Sequence, residues 1–369
     1  MADDQQLTTH LLLNDYFSFA QPLTLAALAA ALRSQEPQRL PAETEARLRA
    51  PYPPEPAPAA GARPASWLLA LACGTGPEVS PELVRRLLLL KAHQLSQVPA
   101  GAPAAVAKRL LDFYNREVWP VVYEQGTAET PLAHLALPLL GLGDVNYQGY
   151  RLAAADVLEL FGWAPLALPA QAGPPLLSGA EFALAYATEA LERATHLLRA
   201  SLVIAALSAG APAPDTSHEL TQVAQVVEAV CNAGGAASLP LALGQLARTV
   251  AEMGQASAQR TGSLLATGAP AGLLALPGVA ASLAAAGQRL SGLAPAPPEV
   301  RRVVENTEQL LGLELLAAAQ MPERPAPGSP TLAAMVAAFG EAVNFAAPDR
   351  LLAPDLHRAA RFVREYNWI

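Results

Sequence analysis

The second half of this chain most tightly constrains its fold. Residues 179–208, 216–232, 238–266 and 298–320 each carry Ala- and Leu-rich apolar stripes at helical spacing. Long helices with such faces pair into bundles, because an apolar stripe is stable only against another apolar surface. Aromatic residues make up only 5% of the chain, so the interior must be built from Ala and Leu. That favours close helix packing over sheet cores rich in Val, Ile and Tyr. The expected fold class is therefore all-α, an elongated helical bundle with little or no strand. Further helices are expected at 330–342 and 354–366, and no repeat at solenoid spacing is visible.

The first half is more broken. Two short helices are predicted in LTLAALAAALRSQ and PAETEARLRA, followed by PYPPEPAPAAGARP (Pro51 to Pro64). That stretch has no helical period and reads as an extended linker. The expected organisation is thus 1–64, short helices and a Pro-rich linker, and 65–369, one helical domain. Ser80, Pro81 and Glu82 form a helix start for a helix to Ser96. An amphipathic helix follows over 103–117, with Val106, Leu110, Leu111 and Tyr114 along one face. Residues 118–153 break the pattern, with a short extended piece around Tyr147–Leu152, and a helix over 153–161 follows.

A net charge of -8 argues against nucleic acid or an anionic membrane surface as a partner. Cys73 and Cys231 are too few for a disulfide framework and fit a reducing compartment. The acidic start MADDQQLTTH lacks the basic region of an export signal, so a cytoplasmic location is expected. No charged residue occurs between Arg260 and Arg289, but Pro270 and Pro277 interrupt that stretch. It reads as a buried helical hairpin rather than a membrane span.

Several segments resemble the aromatic amino acid ammonia-lyases, the histidine and phenylalanine ammonia-lyase family. The family's N-x-x-V-x-P-V-V run appears as Asn115, Val118, Pro120, Val121 and Val122. Its P-L-A-H-L-A-L-P-L helix appears as Pro131 to Leu139, and its Tyr-x-Gly turn as Tyr147 and Gly149. Glu252 to Arg260 (EMGQASAQR), Val304 to Gln320 (VENTEQLLGLELLAAAQ) and the tail LLAPDLHRAARFVRE follow in the family's order. The resemblance implies the family's helical fold and its assembly into tetramers.

The departures bear on chemistry. The resemblance implies an electrophile made by cyclising a consecutive Ala-Ser-Gly in the loop before the P-L-A-H helix. Here that loop reads Glu124, Gln125, Gly126, Thr127, Ala128, Glu129 and Thr130, several residues shorter. No Ala-Ser-Gly occurs in the chain, and the Ser-Gly pairs are Ser178-Gly179 and Ser291-Gly292. The family's tyrosine-bearing loop corresponds to the Pro-rich linker and Ala72 to Gly76, which hold no tyrosine at the required place. Its Asn-Gly-Thr becomes Ser178, Gly179 and Ala180. Its Q-D-x-Y-S-x-R stretch has no counterpart between Leu207 and Val230, and its late glutamine-glutamate pair is replaced by LAPAPP (Leu293 to Pro298).

Other readings are bland. Gly74, Thr75 and Gly76 lack the lysine and preceding strand of a phosphate-cradling loop and read as a helix-entry turn. His10, His93, His134, His196, His218 and His357 include no i, i+4 pair, so no metal site is expected. His134 reads as a core histidine with a backbone partner. Tyr114, Trp119, Tyr123 and Tyr147 form the densest aromatic cluster in the sequence. The candidate vestigial pocket comprises Gln125, Thr127, Glu129, Thr130, His134 and Ser178, with Glu124 beside it. No catalytic residue and no cofactor are expected.

The expected function is that of a catalytically inactive lyase-like assembly or regulatory subunit. It would act as a homo-oligomer or with a full-length ammonia-lyase homologue, without nucleic acid or membrane. The alternatives are an aromatic-acid binder using the emptied cavity and a divergent carbon-nitrogen lyase.

Overall fold

The structure is a computed structural model that describes residues 17–34, 36–48, 66–97, 104–168, 172–208, 211–233, 236–266, 271–321, 330–343 and 351–368. The Pro51–Pro64 linker predicted above lies outside the described residues. The described residues are mostly helix, with five strands of two to four residues. The all-α expectation therefore holds. By contact density the chain forms two compact units, residues 1–185 with 228–236, and residues 186–227 with 237–369.

The first unit begins with α1 (Leu25–Arg33) and α2 (Ala42–Leu48). Thr24 starts α1 as its side chain accepts from the Ala27 amide at 3.1 Å, which satisfies a donor that has no partner inside the helix. Next come α3 (Ser66–Leu71), β1 (Thr75–Glu78), α4 (Pro81–Gln97) and α5 (Ala104–Asn115). Both α4 and α5 match the predicted apolar stripes: Leu83, Leu87 and Leu90 are buried on one, Val106, Leu110 and Leu111 on the other. Each buried aliphatic side chain of this size contributes roughly 1.5–3 kcal/mol.

Then follow β2 (Trp119–Pro120), β3 (Tyr123–Gln125), α6 (Thr130–Ala136), β4 (Asp144–Tyr147), β5 (Tyr150–Ala153), α7 (Ala154–Leu160) and α8 (Gly173–Leu177). β1 pairs antiparallel with β3, and a second sheet has the order β2-β4-β5. The predicted extended piece at 147–152 holds the end of β4, the hairpin turn at Gln148 and Gly149, which both adopt positive φ, and most of β5. Gly74–Gly76 does not form a helix-entry turn as expected. It runs into β1, because Thr75 and Glu78 find partners on β3 before α4 begins.

Two helices supply both units: α9 (Glu181–Ser208) and α10 (Ser217–Ala233). The second unit otherwise comprises α11 (Leu239–Ala266), α12 (Leu276–Leu290), α13 (Pro297–Gln320), α14 (Pro330–Ala342) and α15 (Ala353–Glu365). Apart from α12, for which no bounds are predicted, these match the predicted helices to within two residues. Helices α11, α12 and α13 pack on one another, and α15 packs on α13. The crossings are close. A Cβ on Gly312 would lie 2.8 Å from the Ala360 backbone nitrogen, and one on Gly254 would lie 2.9 Å from Thr307 Oγ1.

The uncharged 261–288 stretch contains α12, whose Leu276, Ala280, Ala284 and Gly287 recur at helical spacing and are buried. Its other face is largely exposed, so it is half of an amphipathic pair rather than a wholly buried hairpin. No described helix is long and apolar enough to cross a membrane.

Charged groups inside the second unit are paired. Arg260 and Glu314 form a bidentate bridge at 2.6 and 2.9 Å, and Ser208 Oγ donates to Glu314 Oε1 at 2.7 Å. Arg193 spans to Glu308 through two 2.8 Å bonds and to Glu189 through another.

Candidate functional site

The loop that replaces the family's electrophile is a tight turn between β3 and α6. Thr130 begins α6 fully buried, and its Oγ1 accepts from the Thr127 amide at 3.1 Å and lies 3.0 Å from Thr127 Oγ1. Gly126 sits against that threonine: a Cβ there would lie 2.5 Å from Thr130 Cγ2. Glu129 is exposed in helical conformation at the start of α6, and its side chain caps nothing. Gln125 ends β3 opposite Thr75, with its amide packed over Gly76. A Cβ at Gly76 would lie 2.8 Å from Gln125 Cδ, and its φ of 80° favours glycine independently.

His134 projects from α6 toward the start of β1. Its Nε2 accepts the Gly74 N–H at 2.9 Å, and its ring meets Tyr123 edge-on with centroids 5.2 Å apart. Burial lowers its pKa. An acceptor Nε2 on a neutral ring leaves the proton on Nδ1, so the imidazole tautomer is fixed by the backbone of the facing loop. This is the core histidine with a backbone partner that the sequence suggested. Tyr123 is in turn held by Arg151, whose Nη2 is 3.2 Å from the phenol oxygen. The same guanidinium pairs with Asp144 at 2.8 Å and with Glu78.

Five of the six candidate residues thus lie along the β3–α6 segment. Ser178 bonds none of the other five. It is exposed at the end of α8, and its carbonyl accepts from Lys91 Nζ at 2.7 Å. That lysine is fully buried on α4 and also donates to Glu181 Oε2 at 3.3 Å. Burial lowers its pKa, while Glu181 pulls the other way. Between them Gly179 has φ 117°, and a Cβ there would lie 2.3 Å from Glu181 Oε2. The Lys91–Glu181 pair escaped sequence reasoning. Its one signal was a lysine inside the apolar run LLLLKAHQL.

The aromatic cluster read from the sequence divides in the structure. Tyr123 meets His134, Tyr147 meets Phe161, and Tyr114 donates to the Ala31 carbonyl at 3.0 Å. No ring contact joins Tyr114, Trp119, Tyr123 and Tyr147 among the described residues. The four residues lie on four different elements, α5, β2, β3 and β4.

Chemically, the Thr130 hydroxyl is engaged in holding the turn and the His134 imidazole in holding the Gly74 amide. The segment does not fit a cyclised backbone ring, since it lacks the Ala-Ser-Gly precursor and the Gly126–Thr130 approach fills the turn. No group of three or more His, Cys, Asp or Glu side chains capable of holding a metal occurs among the described residues.

Comparison with known proteins bears on this geometry. The aromatic amino acid lyase family model matches residues 62–228. Histidine ammonia-lyase of Symbiobacterium thermophilum is 38% identical over 149 residues, 39% of this chain and 29% of that enzyme. The enzyme of the same name from Deinococcus radiodurans is 39% identical over 142 residues, 37% of this chain and 27% of that enzyme. The matched sequence therefore spans less than a third of the length of these relatives. In fold the likeness extends further. Phenylalanine aminomutase of Pantoea agglomerans superposes with a TM-score of 0.81 at 16% identity, covering 94% of this chain and 98% of that one. Ergothionase of Treponema denticola gives 0.78 at 15%, covering 93% and 97%. The segment around the P-L-A-H motif and the order of the helices agree with these likenesses: residues 62–228 match the aromatic amino acid lyase family, and the likeness in fold extends over nearly the whole chain.

Proposed function

We propose that this protein keeps the lyase fold without electrophile-based lyase chemistry and acts as an assembly or regulatory subunit. The observation that carries the reading is the closed turn Gly126–Thr130. It stands where the family resemblance implies the Ala-Ser-Gly electrophile, in a chain that contains no such triplet. The absence of counterparts for the tyrosine loop and the arginine-bearing stretch supports the same reading. Its partner would be a second copy of itself or a full-length ammonia-lyase homologue, joined through the long helices.

The test has two arms. Purified protein incubated with His, Phe or Tyr is followed by ultraviolet absorbance for the corresponding acrylate, and no conversion above buffer is expected. Affinity capture of tagged protein from its native cells is expected to bring down a full-length homologue in stoichiometric amount, or a homo-oligomer of the bait. Robust acrylate formation overturns the proposal. It would favour the second reading, a divergent lyase, which rests on 38% identity to a protein named histidine ammonia-lyase.

A further inference from the structure

Outside the β3–α6 segment, the first unit carries a half-open cleft of about 700 Å³ between the strap Pro37–Leu40, which joins α1 to α2, and one face of α5. We infer that this cleft is a binding site for a small organic monoanion, a carboxylic acid with an apolar body, whose carboxylate is received by Arg39 and Arg116.

Three observations converge. First, the cleft is built rather than incidental. The Asn115 side chain clamps the strap through two hydrogen bonds, accepting from the Gln38 amide at 2.8 Å and donating to the Gln38 carbonyl at 2.9 Å. A wall fixed in this way does not have to be ordered when a ligand enters, and that ordering is a main cost of binding. The volume falls within the range of small-molecule pockets.

Second, the charges do not balance. Arg39, Lys108 and Arg116 line the cleft together with Glu45 and Asp112. Lys108 is bridged to Glu45 at 2.6 Å. Asp112 lies 3.7 Å from Arg109 and within the field of Lys108 and Arg116. Among the described residues neither Arg39 nor Arg116 forms an ion pair, although Arg116 lies over the Phe161 ring. One positive charge therefore remains uncompensated in a concave site on a chain of net charge -8. A guanidinium presents paired donors that match a carboxylate.

Third, the remaining wall is apolar. Leu111 is buried at the cleft, and Pro37 and Leu40 flank it. A bare inorganic anion would leave that surface wet, whereas an acid with a hydrocarbon body covers it.

The experiment is calorimetry on the full chain with benzoate, with acetate (charge without body) and benzamide (body without charge) as controls. Benzoate is expected to bind more tightly than either. Losing a charge-assisted hydrogen bond costs on the order of ten-fold or more, so Arg39→Gln and Arg116→Gln should each weaken benzoate about ten-fold, with the folded helical content unchanged by circular dichroism. Asp112→Asn should strengthen it by removing a like charge. Benzoate held elsewhere, including beside His134, would keep its affinity in both arginine variants, and that result overturns the assignment. So would no heat from benzoate at millimolar concentration, equal binding of benzamide, or weaker binding in Asp112→Asn. None of these outcomes depends on whether the protein has lyase activity.

Discussion

At the residue scale, the buried charges decide which substitutions matter. The Glu314 carboxylate receives three hydrogen bonds, two from Arg260 and one from Ser208, with both ion-pair partners almost wholly enclosed. Truncating one partner leaves a buried charge unpaired, so Arg260→Leu is expected to cost about 3–5 kcal/mol of stability, read by urea unfolding. Replacing both, Arg260→Leu with Glu314→Leu, should recover most of that loss. A double variant as unstable as the single one would mean the pair itself stabilises the fold. Histidine supplies a second residue-scale prediction. His93 and His134 both have folded-state pKa values lowered by burial. The unfolded chain then binds more protons near pH 6, so stability is full above the ordinary histidine pKa of about 6.5 and falls as pH drops below it. Unfolding midpoints measured from pH 7.5 to 5.5 should decline, and His134→Leu, if folded, should flatten part of the slope. His134 was legible in the sequence as a core residue, because it stands in the apolar run PLAHLALPL. Its Gly74 partner was not, since the two are sixty positions apart and nothing local predicts that approach.

At the element scale, legibility follows length and periodicity. Helices α9, α10, α11 and α13 repeat their apolar stripe over several turns, so their ends fall within a few residues of the expected ones. Apart from the extended piece around 147–152, the strands did not announce themselves. β1 reads Thr-Gly-Pro-Glu with every residue exposed, and β2 is two residues long, so neither has an alternating pattern to read. They exist because hydrogen-bond partners from distant segments meet there. Helix crossings are similarly silent in one dimension. Gly312 lies mid-helix, where glycine ordinarily costs about 1 kcal/mol relative to alanine. On an exposed helix Gly312→Ala would therefore stabilise. Here the added methyl would meet the Ala360 backbone of α15 at 2.8 Å, and backbone cannot swing aside as a flexible side chain can. The expected sign is reversed, a loss of roughly 1–3 kcal/mol, measurable as a lowered thermal midpoint. Gly179→Ala should also destabilise, for a different reason: its φ of 117° is strained for any side chain, and the methyl would press on the Glu181 carboxylate that holds Lys91.

At the scale of the whole molecule, sequence and fold have diverged at different rates. Recognisable identity to histidine ammonia-lyases is confined to about two-fifths of the chain, while the fold likeness covers more than nine-tenths of it. Packing of an apolar stripe tolerates many sequences so long as volume and period are kept, whereas chemistry needs particular groups at particular points. The proposed reading treats the missing groups as a set: triplet, tyrosine loop, Asn-Gly-Thr and arginine-bearing stretch. If only the triplet were lacking, restoring it would be enough to recover turnover. Catalytic groups that act as a unit are strongly non-additive, so supplying one member to a site lacking the others yields little. Inserting Ala-Ser-Gly between Ala128 and Glu129 is therefore expected to give no conversion of His, Phe or Tyr above that of the unaltered protein, by the same absorbance assay. The insertion also opens the Gly126–Thr130 turn, so circular dichroism must first show the variant folded. Appreciable turnover in that folded variant would mean that the rest of the site survives in residues the family pattern does not identify.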